Sequence, residues 1–263
     1  MAALSQFVAT AGVLGKQAWP EDVCLYQPYE VGQCLIPDFA AVLSVKAYLK
    51  MCDLQYREVL RTNAEFMSPS GKVPFIKAGP VIVSELDPIV SFVQSKGTNL
   101  SEHLSDAEKA EMKAYMSLIE NTLTNAELYI SWKNQVIWEE VTKLRYGAPY
   151  PWPLTVVLPL KKRWEMNRYL QAAGWADKSL DQVCEEVRTC CEALSEKLGE
   201  QEYFFGKKPT ELDALAHGHL YTLTTTDLPI MRFAEIINSF PNLTAFCQRI
   251  ERLHFKENEL EPS

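Results

Sequence analysis

SGKVPFI, residues 70–76, sets a proline among strand-forming residues. Val73, Phe75 and Ile76 favour extended backbone, yet Pro74 has no N–H to give to a sheet ladder. On these seven residues alone two readings stay open. The proline marks an edge strand that tolerates it, or it opens a hairpin strand through a cis bond that bares the backbone of the residue before it. The surrounding sequence has to decide.

Downstream, VPFIKAGPVIV (73–83) reads as two strands around a Lys77-Ala78-Gly79-Pro80 turn. DPIVSFVQSK (87–96) reads as a helix with Asp87 as N-cap and Pro88 at the first helical position. Upstream, VCLYQ (23–27) and YREVLR (56–61) read as strands. Between them, DFAAVLSVKAYLKMC (38–52) carries apolar residues at 39, 42, 43, 45, 49 and 52, a helical spacing that makes Asp38 the predicted N-cap. The order is β-α-β, a β-hairpin and a helix.

Past the linker-like SKGTNLSEHL (95–104), every periodic stretch is helical. Ser105-Asp106-Ala107-Glu108 and Ser179-Leu180-Asp181-Gln182 are capping boxes. The second leads a stripe of Val183, Cys184, Val187, Cys191, Leu194 and Leu198 that stops at Gly199. A helix over 137–146 is predicted to stop at Gly147. APYPWPL (148–154), with three prolines in five residues, breaks the pattern until a helix resumes near Leu160 and ends at Gly174. Thr210-Glu211-Leu212-Asp213 opens another helix, and the last covers 243–254.

The 263 residues can bury a sizeable core, with 47% hydrophobic and 23% charged residues. A formal charge of −8 counts against nucleic-acid binding and disfavours broad adhesion to anionic lipid. Seven cysteines (24, 34, 52, 184, 190, 191, 247) form no CxxC pair and no zinc spacing, so they read as reduced core thiols. In Cys190-Cys191 one thiol is expected in the core and one on the flank. His217 and His219 stand about 200° apart around a helix, so they cannot share a metal. They read as one core and one surface histidine. No metal or cofactor is expected. The N-terminus lacks a signal-peptide pattern, the polar KENELEPS tail (256–263) argues against a tail anchor, and no run of about 18 apolar residues occurs.

YGAPYPWPLTVVLPLKKRW (146–164) joins aromatics to an apolar run and then to basic residues. Tyr150, Trp152, Lys161, Lys162, Arg163 and Trp164 are the candidates for contact with a partner or a membrane interface. The competing reading is that these prolines and aromatics cap the helical core.

The order over 23–96 resembles the thioredoxin-like fold, whose hairpin strand begins with a cis-proline. YFFGKKPTELDALAHGHL (203–220) resembles the signature of the glutathione transferase C-terminal domain, a glycine turn before a Ser/Thr-x-x-Asp box. Together they imply a glutathione-transferase-like fold: an α/β thioredoxin-like N-terminal domain (βαβ-ββα) and an all-α C-terminal domain. The boundaries expected are an extension over 1–20, the thioredoxin-like domain over 21–96, a linker over 97–104, the helical domain over 105–255 and a tail over 256–263. Pro74, Thr210 and Asp213 are the structural signature.

That resemblance also says what a glutathione site requires. Val73-Pro74 supplies the backbone that holds the peptide. SELDPIV (84–90) keeps Glu85 but puts Leu86 where the family has a serine. Leucine cannot donate to the γ-glutamyl carboxylate, and the hydrogen bond lost is worth roughly 1.5–3 kcal/mol. Tyr26, Tyr29 and Cys34 are available to stabilise a thiolate, but Cys34 lies four residues before the predicted cap, too far for the helix dipole to act on it. A vestigial groove at Val73, Pro74 and Glu85, with no catalytic residue, is therefore expected. The alternatives are a glutathione transferase or glutathione-binding protein with Tyr26 as thiolate stabiliser, and a redox switch at Cys34 or Cys190-Cys191.

NAEFMSPSGKVPFI (63–76), AEMKAYM (110–116), RYGAPYPWPL (145–154) and YFFGKKPTELDAL (203–215) resemble the metaxin family along most of the chain. The polar tail suits those members without a C-terminal transmembrane segment. The resemblance implies a non-enzymatic subunit of the sorting and assembly machinery, peripheral on the cytosolic face of the mitochondrial outer membrane. The partners it implies are a metaxin-1-like protein, the β-barrel insertase and β-barrel precursors.

Overall fold

Leu25 and Gln27 are fully buried in β1 (Cys24–Gln27), the strand on which the N-terminal sheet is built. The computed structural model describes residues 18–29 and 32–255, so most of the expected extension and the polar tail lie outside the described residues. From β1 the chain passes through α1 (Ile36–Met51) to β2 (Arg57–Leu60), which pairs parallel with β1. A short helix, α2 (Ala64–Met67), precedes a hairpin of β3 (Phe75–Ala78) and β4 (Val81–Ser84). β3 pairs antiparallel with β1, Phe75 opposite Tyr26, giving the order β2-β1-β3-β4. α3 (Leu86–Ser95) follows. Pro74 stands just before β3, so its missing N–H removes no ladder bond, and the Val73–Pro74 bond is cis. Gly79 holds the hairpin turn at φ 57, a conformation glycine adopts without a Cβ penalty.

Both predicted N-caps in this half are displaced. α1 begins after Leu35 with Pro37 in its first turn, which draws Asp38 inside the helix. α3 begins after Glu85, held at φ 69, and Asp87 falls within its first turn. Proline fits any early position whose N–H has no intrahelical partner, so it does not fix the cap to one residue. Both aspartates still lie at the positive helix end.

A 3₁₀ turn (Leu100–His103), capped by the Asn99 side chain, leads into the helical half. α4 (Asp106–Ile119) opens on the Ser105–Glu108 capping box and runs on through a π turn (Glu120–Thr124), α5 (Asn125–Leu128) and a second π turn (Tyr129–Lys133). Asn134 caps α6 (Gln135–Ile137), which continues through a π turn (Trp138–Thr142) into α7 (Lys143–Gly147). α8 (Leu154–Ala172) starts well before Leu160 and accepts Pro159 in its interior. Pro159 leaves the Thr155 carbonyl without its helical donor. Gly147 packs there so closely that a Cβ would stand 2.6 Å from that oxygen.

α9 (Leu180–Leu198) buries the predicted stripe. α10 (Glu211–Thr225) follows, then α11 (Arg232–Asn238), which the sequence reading missed, and α12 (Pro241–Ile250) with a π turn (Glu251–Phe255). The two halves share one core. α1 and α10 cross at Gly218, where an added Cβ would lie 2.1 Å from Ser44 Oγ and 2.6 Å from the Ala40 carbonyl. Tyr48 and Leu49 of α1 and Leu212 and Leu220 of α10 are fully buried in that core. Each such side chain contributes about 1.5–3 kcal/mol. At the start of α10, the Asp213 carboxylate accepts from Thr210 N–H (2.7 Å), Thr210 Oγ1 (2.7 Å) and Phe204 N–H (2.9 Å). Burial pushes Asp213 up to about 6 against the pull of those bonds.

Candidate functional site

Val73, Pro74 and Glu85 meet where the hairpin joins α3: the Glu85 N–H donates to the Pro74 carbonyl at 3.4 Å. Lys72 Nζ lies 2.5 Å from Glu85 Oε2. Val73 packs with Ala64 and Phe75, and the Tyr26 ring stacks on Phe75 at 4.7 Å and 6°. Leu86, at the serine position, is buried in the main core.

This helix end is crowded with negative charge. Glu85 caps it, Asp87 is in its first turn, and Glu120 approaches from the first π turn of the helical half. Burial chiefly raises the Glu120 pKa; Asp87 and Glu85 add to the rise, while His219 and Lys72 oppose it. A glutamyl carboxylate arriving here would meet Asp87, Glu120, a Glu85 already paired with Lys72, and at Leu86 a side chain with no donor. The cis Val73–Pro74 bond stands at the start of the hairpin, and the buried Leu86 presents no side-chain donor beside it.

The other thiol candidates are displaced from their expected settings. Cys34 is buried directly before the Leu35 cap, not four residues ahead of it, and its carbonyl accepts from Arg145 at 3.4 Å. Tyr29 is half exposed, and its carbonyl accepts from the Gln33 and Cys34 N–H groups. Cys190 and Cys191 are both buried, so the expectation of one flank thiol is corrected. α9 is covered by α11 and α12 together and therefore shields two adjacent positions. Burial raises both thiol pKa values, Cys191 to about 12, which leaves little thiolate at neutral pH.

His217 and His219 are likewise both buried, because α10 is enclosed on all sides. His217 Nε2 lies 3.1 Å from Glu251 Oε1, and His219 Nδ1 lies 2.8 Å from Glu127 Oε1. The expectation of a surface histidine fails because solitary polar residues in a central helix are matched by acids far away in sequence. Among the described residues, no group of three or more His, Cys, Asp or Glu side chains could hold a metal ion.

The aromatic stretch divides. Trp152 is 82% exposed and Trp164 59%, and the Arg168 guanidinium lies 4.8 Å from the Trp164 ring. Lys161 faces solvent and pairs with Glu165 at 3.7 Å. Tyr150 is half-buried, its ring edge-on to Phe66 at 6.5 Å. Lys162 turns inward to pair with Glu65. Arg163 donates to the Trp132 carbonyl (3.0 Å) and to Gln135 Oε1 (2.9 Å), with its guanidinium 4.5 Å from the Trp138 ring.

Tyr146 Oη donates to Glu65 Oε2 at 3.0 Å, completing a polar cluster of Asp38, Glu65, Tyr146 and Lys162 between the halves. Burial chiefly pushes Asp38 up to about 7; Glu65 adds to this, and Lys162 and the Leu35 backbone oppose it. No spacing rule links Glu65 to Lys162 across 97 residues, and sequence reasoning missed the cluster. The exposed Val157 and Leu160 were also missed, although their helical spacing was visible once α8 is taken to begin at Leu154.

A family model described as outer mitochondrial membrane transport complex protein matches residues 43–163, and one for the glutathione S-transferase C-terminal domain matches 187–250. Metaxin-2 of Mus musculus is 52% identical over 254 residues, which is 97% of this chain and 94% of that protein. The metaxin-2 homolog of Caenorhabditis elegans is 43% identical over 209 residues, 80% of this chain and 90% of that one. Among solved structures, glutathione transferase F7 from Populus trichocarpa aligns with a TM-score of 0.54 at 17% identity, covering 89% of this chain and 96% of its own. The shared fold is a thioredoxin-like half joined to a helical half.

Proposed function

Because the chain belongs to the metaxin family, we propose that it is a non-enzymatic subunit of the sorting and assembly machinery of the mitochondrial outer membrane. It acts there as a receptor or scaffold in the import and assembly of β-barrel proteins. The observation that carries this reading is the 52% identity to metaxin-2 along almost the whole chain. The outer-membrane transport family match supports it, as does a helix end at Glu85 where Lys72 is already paired with that glutamate and Leu86 has no side-chain donor for an incoming carboxylate. Its partners are a metaxin-1-like protein, the β-barrel insertase and β-barrel precursors. It associates peripherally with the cytosolic face; among the described residues no helix is long and apolar enough to cross a membrane.

The test is affinity purification of the tagged chain from mitochondria, joined to its depletion. Co-purification with the insertase and slowed assembly of newly imported β-barrels are expected. Absence of the insertase from the eluate, together with unchanged barrel assembly after depletion, overturns the reading.

A second reading, a glutathione-binding protein with Tyr26 as thiolate stabiliser, is favoured by the fold shared with glutathione transferases and by the retained Glu85 beside Val73-Pro74. Titration with glutathione separates the two.

A further inference from the structure

α8 is built inside out. A surface helix ordinarily turns its charges to water and its apolar side chains to the core. Here Lys162 and Arg163 are held inward, by Glu65 and by the Trp132 carbonyl and Trp138 ring, while Val157, Leu160 and Trp164 stand in solvent. Those three recur at steps of three and four, so they form one exposed ridge. Trp152 stands just ahead of its N-terminal end.

The chemistry bordering the ridge identifies what covers it. Arg168 lies over the Trp164 ring, and Lys161 is exposed beside it. Of the four cations of α8, Lys162 and Arg163 are turned inward, and Lys161 and Arg168 face outward beside one carboxylate, Glu165, on a chain whose formal charge is −8. An aliphatic ridge between exposed tryptophans, edged by cations, has the composition of a helix lying in a bilayer interface. The rings sit at head-group depth, the aliphatic groups below them, and the cations meet anionic head groups. The acidic charge of the rest of the chain opposes adhesion elsewhere and confines it to this face.

We propose that the face formed by Trp152, Val157, Leu160 and Trp164 rests on an anionic lipid surface, an interfacial contact that does not span the membrane. The choice of membrane rests on the outer-membrane reading above.

The test is co-sedimentation and tryptophan fluorescence of the full chain with vesicles of phosphatidylcholine and cardiolipin, against phosphatidylcholine alone. Binding to the anionic vesicles is expected, with a blue shift and with quenching by brominated acyl chains. The double variant Val157→Glu, Trp164→Glu should lose at least about tenfold in partitioning. Lys161→Ala with Arg168→Ala should weaken binding to the anionic vesicles alone. All four side chains are exposed, and an unchanged thermal transition verifies that the variants fold. No vesicle binding by the folded chain, or binding indifferent to the double variant, overturns the inference. Should the double variant instead abolish co-purification with the insertase while vesicles are never bound, the face belongs to a protein partner and the functional reading survives. Vesicle binding without insertase co-purification has the opposite consequence.

Discussion

Lys72 Nζ and Glu85 Oε2 lie 2.5 Å apart at the head of α3, so the residue that would help to hold a glutamyl group is met by the protein's own cation. Behind the pair, Leu86 is buried in the core. Leu86→Ser restores the missing donor but removes apolar packing, and is expected to cost about 2–4 kcal/mol of stability. Glu85 stays paired with Lys72, and Asp87 and Glu120 remain, so the variant should still not bind glutathione. Denaturant unfolding and calorimetry measure the two effects separately; a stable Leu86→Ser that binds glutathione refutes the account of this site.

Gly218 tests the joint between the halves. Alanine in a helix ordinarily gains about 1 kcal/mol over glycine. At Gly218 the new Cβ would lie 2.6 Å from the Ala40 carbonyl and from the Ser44 N–H nitrogen, backbone atoms that cannot move aside. Overpacking wins, and Gly218→Ala should destabilise by about 3 kcal/mol. A raised melting temperature would mean that α1 and α10 are not locked at this crossing.

Glu127 and His219 form a buried pair, and burial raises the Glu127 pKa while His219 opposes the rise. Removing one partner strands the other. His219→Ala should cost about 3–5 kcal/mol, whereas Glu127→Met combined with His219→Leu should come close to neutral. A double-mutant cycle in denaturant reads the coupling, and strictly additive losses would show that the two side chains do not support each other.

Asp38 gives the fold a pH dependence. Its carboxyl is raised from the ordinary 3.8 to about 7, chiefly by burial among Glu65, Tyr146 and Lys162. A carboxyl raised on folding contributes stability that is complete below its unfolded pKa and is lost as pH climbs through the folded one. Stability should therefore fall with pH across the window from 3.8 to about 7, and Asp38→Asn should flatten that slope. Parallel curves for the two proteins would remove Asp38 as the cause.

What could be read from the sequence was local. The β1 strand, the hairpin around Gly79 and the Thr210–Asp213 box each depend on neighbouring residues, and each stands where it was expected. Asp38 and Asp87 misled because an aspartate beside a first-turn proline looks the same at the cap as one or more residues inside the helix. The start of α8 was placed too late, near Leu160, because the helix accepts Pro159 in its interior, where Gly147 of another helix packs against it. The inward turn of Lys162 and Arg163, and the acids opposite His217 and His219, depend on long-range contacts that no periodicity encodes. At the candidate groove, the lost serine was legible at Leu86. Glu120 was not, since only the fold brings it to the head of α3.

The claim most in need of a test is that the transferase scaffold has been kept while its thiol chemistry has been given up. Isothermal titration of the full-length chain with reduced glutathione at millimolar concentration addresses it directly. The account predicts no saturable heat, for the wild type and for Tyr26→Phe alike. Saturable binding by the wild type that disappears in Tyr26→Phe would contradict it.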